Sequence, residues 1–210
     1  MGSMAITARK AGRPSRAEAE QLDAMILDRA LASFLAKGFA RTTIEEIAEE
    51  CETTRRSVVR RYPTKEALLI AAVGLFRSRS VTQGTPDDED LPPLEALRQV
   101  CRRLFLHSIS PTSVAFFRLC AAEVERTPTL GSFALAWDDE NARAVQKRVL
   151  NAQSAGHFSR QSAASIATFV IGVMCSNPVN RTLLQDPFFA DEHNLELYFS
   201  EMWTLVIAMG

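Results

Sequence analysis

A chain of 210 residues, 47% hydrophobic and with a formal net charge of −1, is long enough for one large or two small domains with a filled core. It holds no run of 18 or more apolar residues and no leader-like apolar stretch near its start, so the expectation is a cytoplasmic protein without membrane contact. Four widely spaced cysteines (Cys51, Cys101, Cys120, Cys175) and three scattered histidines (His107, His157, His193) offer no metal-ligand spacing and no nucleophile–base set, so no metal, cofactor or enzymatic activity is expected.

The charge is unevenly placed. Residues 1–65 carry 12 Lys and Arg against 9 Asp and Glu, whereas residues 66–210 carry 12 against 16. A basic front segment on an acidic body implies different partners for the two parts. Met1-Gly2-Ser3 reads as a cloning remnant, and residues 1–15 as that remnant plus a basic flexible arm around Arg13. Arms of this kind can reach into a DNA minor groove.

Helices follow in close order. Ser15-Arg-Ala-Glu18 has the form of a capping box, after which Leu22, Ile26, Ala30 and Phe34 recur every four residues until Gly38 supplies the stop. Thr43-Ile-Glu-Glu46 is a second capping box, opening a short helix with Ile44, Ile47, Ala48 and Cys51 turned inward. Glu52-Thr53 is a tight connector, and Thr54 caps a third helix that must end near Tyr62, because Pro63 disfavours helical geometry in the residue before it. Thr64 caps a fourth helix carrying Leu68, Leu69, Ala72, Val73 and Phe76. Three helices with a short turn between the second and third predict a helix-turn-helix domain over residues 16–65.

The third helix carries the functional signal. In "TTRRSVVRRYPTKEAL" (residues 53–68) Val58 and Tyr62 share the inward face, and Arg55, Arg56, Ser57, Val59 and Arg60 fill the rest, with Arg61 at the border. So short a helix with four arginines suits a DNA major groove, where arginine pairs with guanine and phosphates line the rim. The expected DNA-contacting set is Arg13, Thr43, Thr53, Thr54, Arg55, Arg56, Ser57, Val59, Arg60, Arg61 and Lys65.

Residues 26–73, "ILDRALASFLAKGFARTTIEEIAEECETTRRSVVRRYPTKEALLIAAV", resemble the DNA-binding segment of the tetracycline-repressor (TetR) family of bacterial transcription regulators. The shared pattern is Lys37-Gly38-Phe39, Thr42-Thr43-Ile44, Ile47-Ala48, and an aromatic-x-x-Lys-Glu-x-Leu close from Tyr62 to Leu68. Glu52 and Arg56 stand where the family usually has glycine, and Val59 where it usually has tyrosine. The resemblance implies a homodimer on a palindromic operator and a small molecule bound in the second part of the chain.

That second part, residues 66–210, is predicted to be helical and to hold both effector and dimer surfaces, so the whole chain is expected to be all-α. "VTQGTPDDEDLPP" (residues 81–93) interrupts the pattern as a loop or hinge. Amphipathic stretches follow, ending near Gly156. The last two, at residues 161–177 and 193–209, are apolar nearly all round and so predict burial against a second copy. The expected interface is Ala164, Thr168, Gly172 and Ser176 with Tyr198, Phe199, Met202, Trp203 and Val206. An effector pocket is expected from Leu104, Phe105, Phe116, Phe117, Cys120, Trp137, Phe169 and Met174, with His107 and Arg118 as polar anchors, for a small apolar ligand. The leading function is a ligand-responsive repressor. A helical module that binds a protein or a lipid is the alternative, and it would lack the steep salt dependence of DNA binding.

Overall fold

The computed structural model of the protein describes residues 15–80 and 90–209. The basic arm with Arg13 and most of the 81–93 linker lie outside them. Ten α-helices and no strand occur among the described residues: α1 (Arg16–Arg41), α2 (Ile44–Glu50), α3 (Arg55–Arg61), α4 (Lys65–Ser80), α5 (Pro93–Ser108), α6 (Pro111–Glu123), α7 (Thr129–Ser154), α8 (Ala163–Ile171), α9 (Asn177–Leu183) and α10 (Glu192–Ala208).

Local chemistry sets the front of the fold. Ser15 Oγ accepts from the Glu18 amide at 3.2 Å, and Glu18 Oε2 accepts from the Ser15 amide at 2.6 Å, completing the first capping box. The helical path breaks at Gly38, whose φ of +78° is a conformation that glycine adopts without steric cost. The buried Thr42 hydroxyl bonds the Gly38 carbonyl at 2.9 Å and the Ser33 hydroxyl at 3.2 Å, which holds the corner into α2. Thr43 and Glu46 form the second capping box. In the connector to α3, Glu52 sits at φ +50°, the strained region where the TetR pattern has glycine. α3 stops at Tyr62, extended before Pro63.

Two hydrophobic cores share α7. The first gathers Ile26, Ala30 and Phe34 of α1, Ile47 of α2, Val58 of α3, and Leu68, Leu69 and Phe76 of α4. It does not end at residue 65. Phe116, Leu119 and Cys120 of α6 and Leu130 and Trp137 of α7 belong to it as well. The second core joins α5, the far half of α7 (Val145, Val149, Ala152), α8 and α10. Phe199, Trp203 and Val206 are buried in this core, so their own protomer already covers three side chains expected at the dimer face.

Helix continues from Ala163 to Leu183 through a π-turn at Gly172–Ser176. This stretch is long and apolar enough to cross a membrane, with a mean hydropathy of 1.3 and Arg181, near its end, as its one charged residue; half of it is buried within the fold. The turn has a chemical cause. Pro178 has no N–H to offer the carbonyls four and five residues back, and the Asn177 amide bonds Gly172 instead. The Val173 and Met174 carbonyls are thereby freed, and two hydroxyls meet them: Tyr198 at 2.7 Å and Ser108 at 3.3 Å. The inserted residue also turns Ser176 off the line of Ala164, Thr168 and Gly172, which remain exposed.

Tyr198→Phe removes one of these donors and leaves the Val173 carbonyl unpaired. The expected cost is about 1–3 kcal/mol in urea unfolding, and unchanged stability would contradict this account of the π-turn.

Candidate nucleic-acid interface and ligand cavity

The cap from Thr54 presents α3 outward. Thr54 Oγ1 accepts from the Ser57 amide at 3.2 Å, and Val58 anchors the helix in the core with no exposure. Val59 is half-buried against the same core, and Ser57 and Thr53 are partly covered, whereas Thr43 and Thr54 are exposed. Tyr62 donates to Asp23 of α1 at 3.0 Å. Burial, then that hydrogen bond and the Asp23 charge, push the Tyr62 phenol up to about 12, so it stays a donor.

The positive charges on this surface divide into two groups. Arg61 folds back, donating to the Ser57 carbonyl at 3.0 Å and lying 3.5 Å from Asp23, with its side chain only 18% exposed. Lys65, expected at a phosphate, instead donates to the carbonyls of Phe39 at 2.8 Å and Thr42 at 3.0 Å, with the Phe39 ring 4.3 Å away. It closes the end of α1. Arg55 forms an exposed pair with Glu45 at 2.5 Å, a contact that salt or a phosphate readily displaces. Arg56 and Arg60 are exposed and make no ion pair or hydrogen bond among the described residues. They lie four residues apart, on one face of α3.

The internal role of Lys65 has a measurable consequence. Lys65→Met should lower stability by about 1.5–3 kcal/mol, the range for hydrogen bonds from a charged donor. A protein of unaltered denaturation midpoint would return Lys65 to the phosphate contacts.

A cavity of about 270 Å³ opens between α5, α6, α7 and the π-turn with α9. Of the expected pocket residues, Leu104, Phe117 and Trp137 line it. Phe117 and Trp137 stack at 4.8 Å. Adjacent helical residues point about 100° apart, so Phe116 faces away from its neighbour and packs on Phe76 at 4.8 Å. Phe105 turns into the second core and stacks on Tyr198 at 5.6 Å, where Met174 and Phe169 also pack. Cys120 is buried in the first core, and Arg118 lies in a separate groove beside α1. None of these six lines the cavity, because the helical faces that carry them are spent on cores or on another surface.

His107 meets Trp137 edge-on at 5.5 Å but does not line the cavity either. Burial lowers its pKa, favouring neutral imidazole. His107 Nε2 and Trp137 Nε1 are both buried without a hydrogen-bond partner, which is costly in a folded protein.

The polar part of the wall comes from residues other than the expected anchors His107 and Arg118. Ser108, Asp138, Asn141, Ser176 and Asn180 all contribute. One signal was present: Leu130, Ala134, Trp137, Asn141, Val145 and Val149 form the inward stripe of α7, and Asn141 interrupts it. Asn141 is 4% exposed. The Asp138 carboxyl is pushed above its ordinary range by burial and then by the adjacent Asp139.

Residues 26–72 match the family model described as bacterial regulatory proteins, tetR family, and residues 95–196 match that of the AefR-like transcriptional repressor, C-terminal domain. Two curated Bacillus subtilis (strain 168) proteins, the uncharacterized HTH-type transcriptional regulators YerO and YuxN, are 36% identical over 77 residues and 30% identical over 64. The matches take up 35% and 30% of this chain and 27% and 22% of those proteins, so the chain spans about a quarter of its curated relatives. Among solved structures, a TetR-family transcriptional regulator from Mesorhizobium loti MAFF303099 superposes with a TM-score of 0.80 at 21% identity, covering 93% of this chain and 98% of that one. A TetR transcription regulator from Haloarcula marismortui ATCC 43049 gives 0.69 at 18%, covering 90% and 97%. A transcriptional regulator from Saccharomonospora viridis, solved in complex with choline, gives 0.68 at 14%, covering 87% and 94%. At these identities the structural likeness is one of fold. Two family models, matched in succession along the chain on a shared fold, give the assignment: the chain belongs to the TetR family of bacterial transcriptional regulators.

Proposed function

We propose that the protein is a repressor that binds a palindromic operator as a homodimer and leaves it when a small molecule fills the α5–α9 cavity. The observation that carries the DNA reading is the pair Arg56 and Arg60, exposed and without a partner among the described residues, on a capped helix whose neighbouring cations are engaged. Free guanidinium groups at that spacing suit guanine edges and flanking phosphates. The described repressor character of the C-terminal match supports the sign of regulation.

Dimerisation rests on uncovered surface. Leu197, Glu201, Leu205 and Ala208 follow one another on an exposed face of α10, with Leu205 49% exposed, and Ala164, Thr168 and Gly172 leave a shallow exposed line on α8 and the π-turn. A Cβ added at Gly172 would meet nothing within 4 Å, so that line can admit a close neighbour. A two-fold pairing of these faces would present two α3 helices to successive major grooves.

Coupling follows from packing. Phe117 and Trp137 border the cavity, Trp137 meets Phe116 edge-on at 6.0 Å, and Phe116 packs on Phe76 of α4. α4 follows α3 after three residues. A ligand that prefers one position of this aromatic row shifts the reading heads by that preference alone.

Selection of duplexes from random DNA tests the reading. Palindromic sites should emerge, bound with steep salt dependence, and Arg56→Ala and Arg60→Ala should each cost about 1–3 kcal/mol and relax preference at defined bases. Leu205→Glu should give folded monomer by light scattering and circular dichroism, with operator binding lost. Salt-independent binding without sequence preference would favour the interaction-module reading, and a fully dimeric Leu205→Glu protein would move the interface elsewhere.

A further inference from the structure

We infer that the cavity selects a cation: a small ligand with a quaternary or protonated ammonium head and an apolar, ring-sized body. This rests on the cavity being the effector site and specifies what enters it.

Charge makes the first case. Among the described residues Asp138 is the one charged residue of the cavity wall, and no lysine, arginine or histidine lines it. Among the described residues the Asp138 carboxylate has neither an ion pair nor a hydrogen-bond donor, and the charge acting on it is that of Asp139, of its own sign. On the facing π-turn burial raises the pKa of the Cys175 thiol, and the negative charge of Asp138 adds to that rise. His107 supplies no positive charge nearby, because burial favours its neutral form. A half-buried carboxylate with no countercharge costs folding free energy that a bound cation would recover.

The aromatic wall makes the second. Phe117 and Trp137 stack with their planes 27° apart and border the same space as Asp138. A π-face beside a carboxylate is the combination that holds ammonium groups, through the ring quadrupole and the opposite charge. Trp137 is 4% exposed, so its ring is held in place by the packing around it. Size agrees: an apolar cavity of about 150 Å³ holds benzene, so 270 Å³ has room for a ring with a methylated ammonium head. An anionic ligand would meet Asp138 with no lining cation to offset it.

The test compares two probes of one shape, phenyltrimethylammonium and the neutral tert-butylbenzene, on the full chain, by thermal shift and tryptophan fluorescence. The wild-type protein should bind the cation at least about tenfold more tightly, and Asp138→Asn should remove that preference while leaving tert-butylbenzene affinity unchanged. Asp139→Asn, on the exposed side of α7, should keep the preference. Equal or tighter binding of tert-butylbenzene by the wild-type protein would overturn the inference and leave an apolar effector site standing. Binding of neither probe would overturn the inference and also the cavity as effector site.

Discussion

The contact on which the rest depends is the packing of Phe116 between Phe76 and Trp137. It makes the core under the helix-turn-helix continuous with the wall of the cavity. A Phe116 with 1% exposure, in contact with aromatic rings on two other helices, resists sliding: cores are close-packed, and small displacements cost contacts on every side. A change on the cavity side must therefore be passed on or refused as a whole. α4 receives it through Phe76 and is tied in turn to α1 by the Lys65 ammonium on the Phe39 and Thr42 carbonyls.

The opposite wall is shaped by a backbone defect with a named origin. Pro178 breaks the hydrogen-bond ladder, the π-turn absorbs the break, and Tyr198 and Ser108 satisfy the carbonyls that it frees. The turn brings Cys175 and Ser176 to the cavity and carries Ser176 away from the small-residue line of α8. One proline thus affects both the cavity and the outer face proposed for pairing. The apolar residues of that helix are buried in the second core, and its exposed side is almost side-chain-free at Gly172.

Legibility followed the range of the interactions. Capping boxes at Ser15 and Thr43, the stop at Gly38 and the end at Tyr62 depend on neighbours within four residues, and the pattern read them to within a residue or two. Contacts across the fold were less visible. Lys65 looked like a surface cation because its acceptors lie 23 and 26 residues away. Phe199, Trp203 and Val206 read as an unpartnered apolar face because periodicity shows that a side is buried without showing against what. Among the pocket residues, Phe116 and Phe117 could not be separated by hydrophobicity; only the positions of α4 and α7 assign one to the core and the other to the cavity. Asn141 on an apolar stripe was the readable sign of a polar wall, and Asp138 beside it carried the charge.

The most direct measurement is native-state hydrogen exchange on the wild-type and Phe116→Ala proteins, following amides of α1 around Phe34 and of α7 around Trp137. One continuous core predicts that both sets open with a common free energy and that the truncation lowers both together, by about 3–5 kcal/mol. Protection of α1 unaffected by Phe116→Ala, with only α7 loosened, would show the DNA-reading head to be an independent unit and would contradict the account.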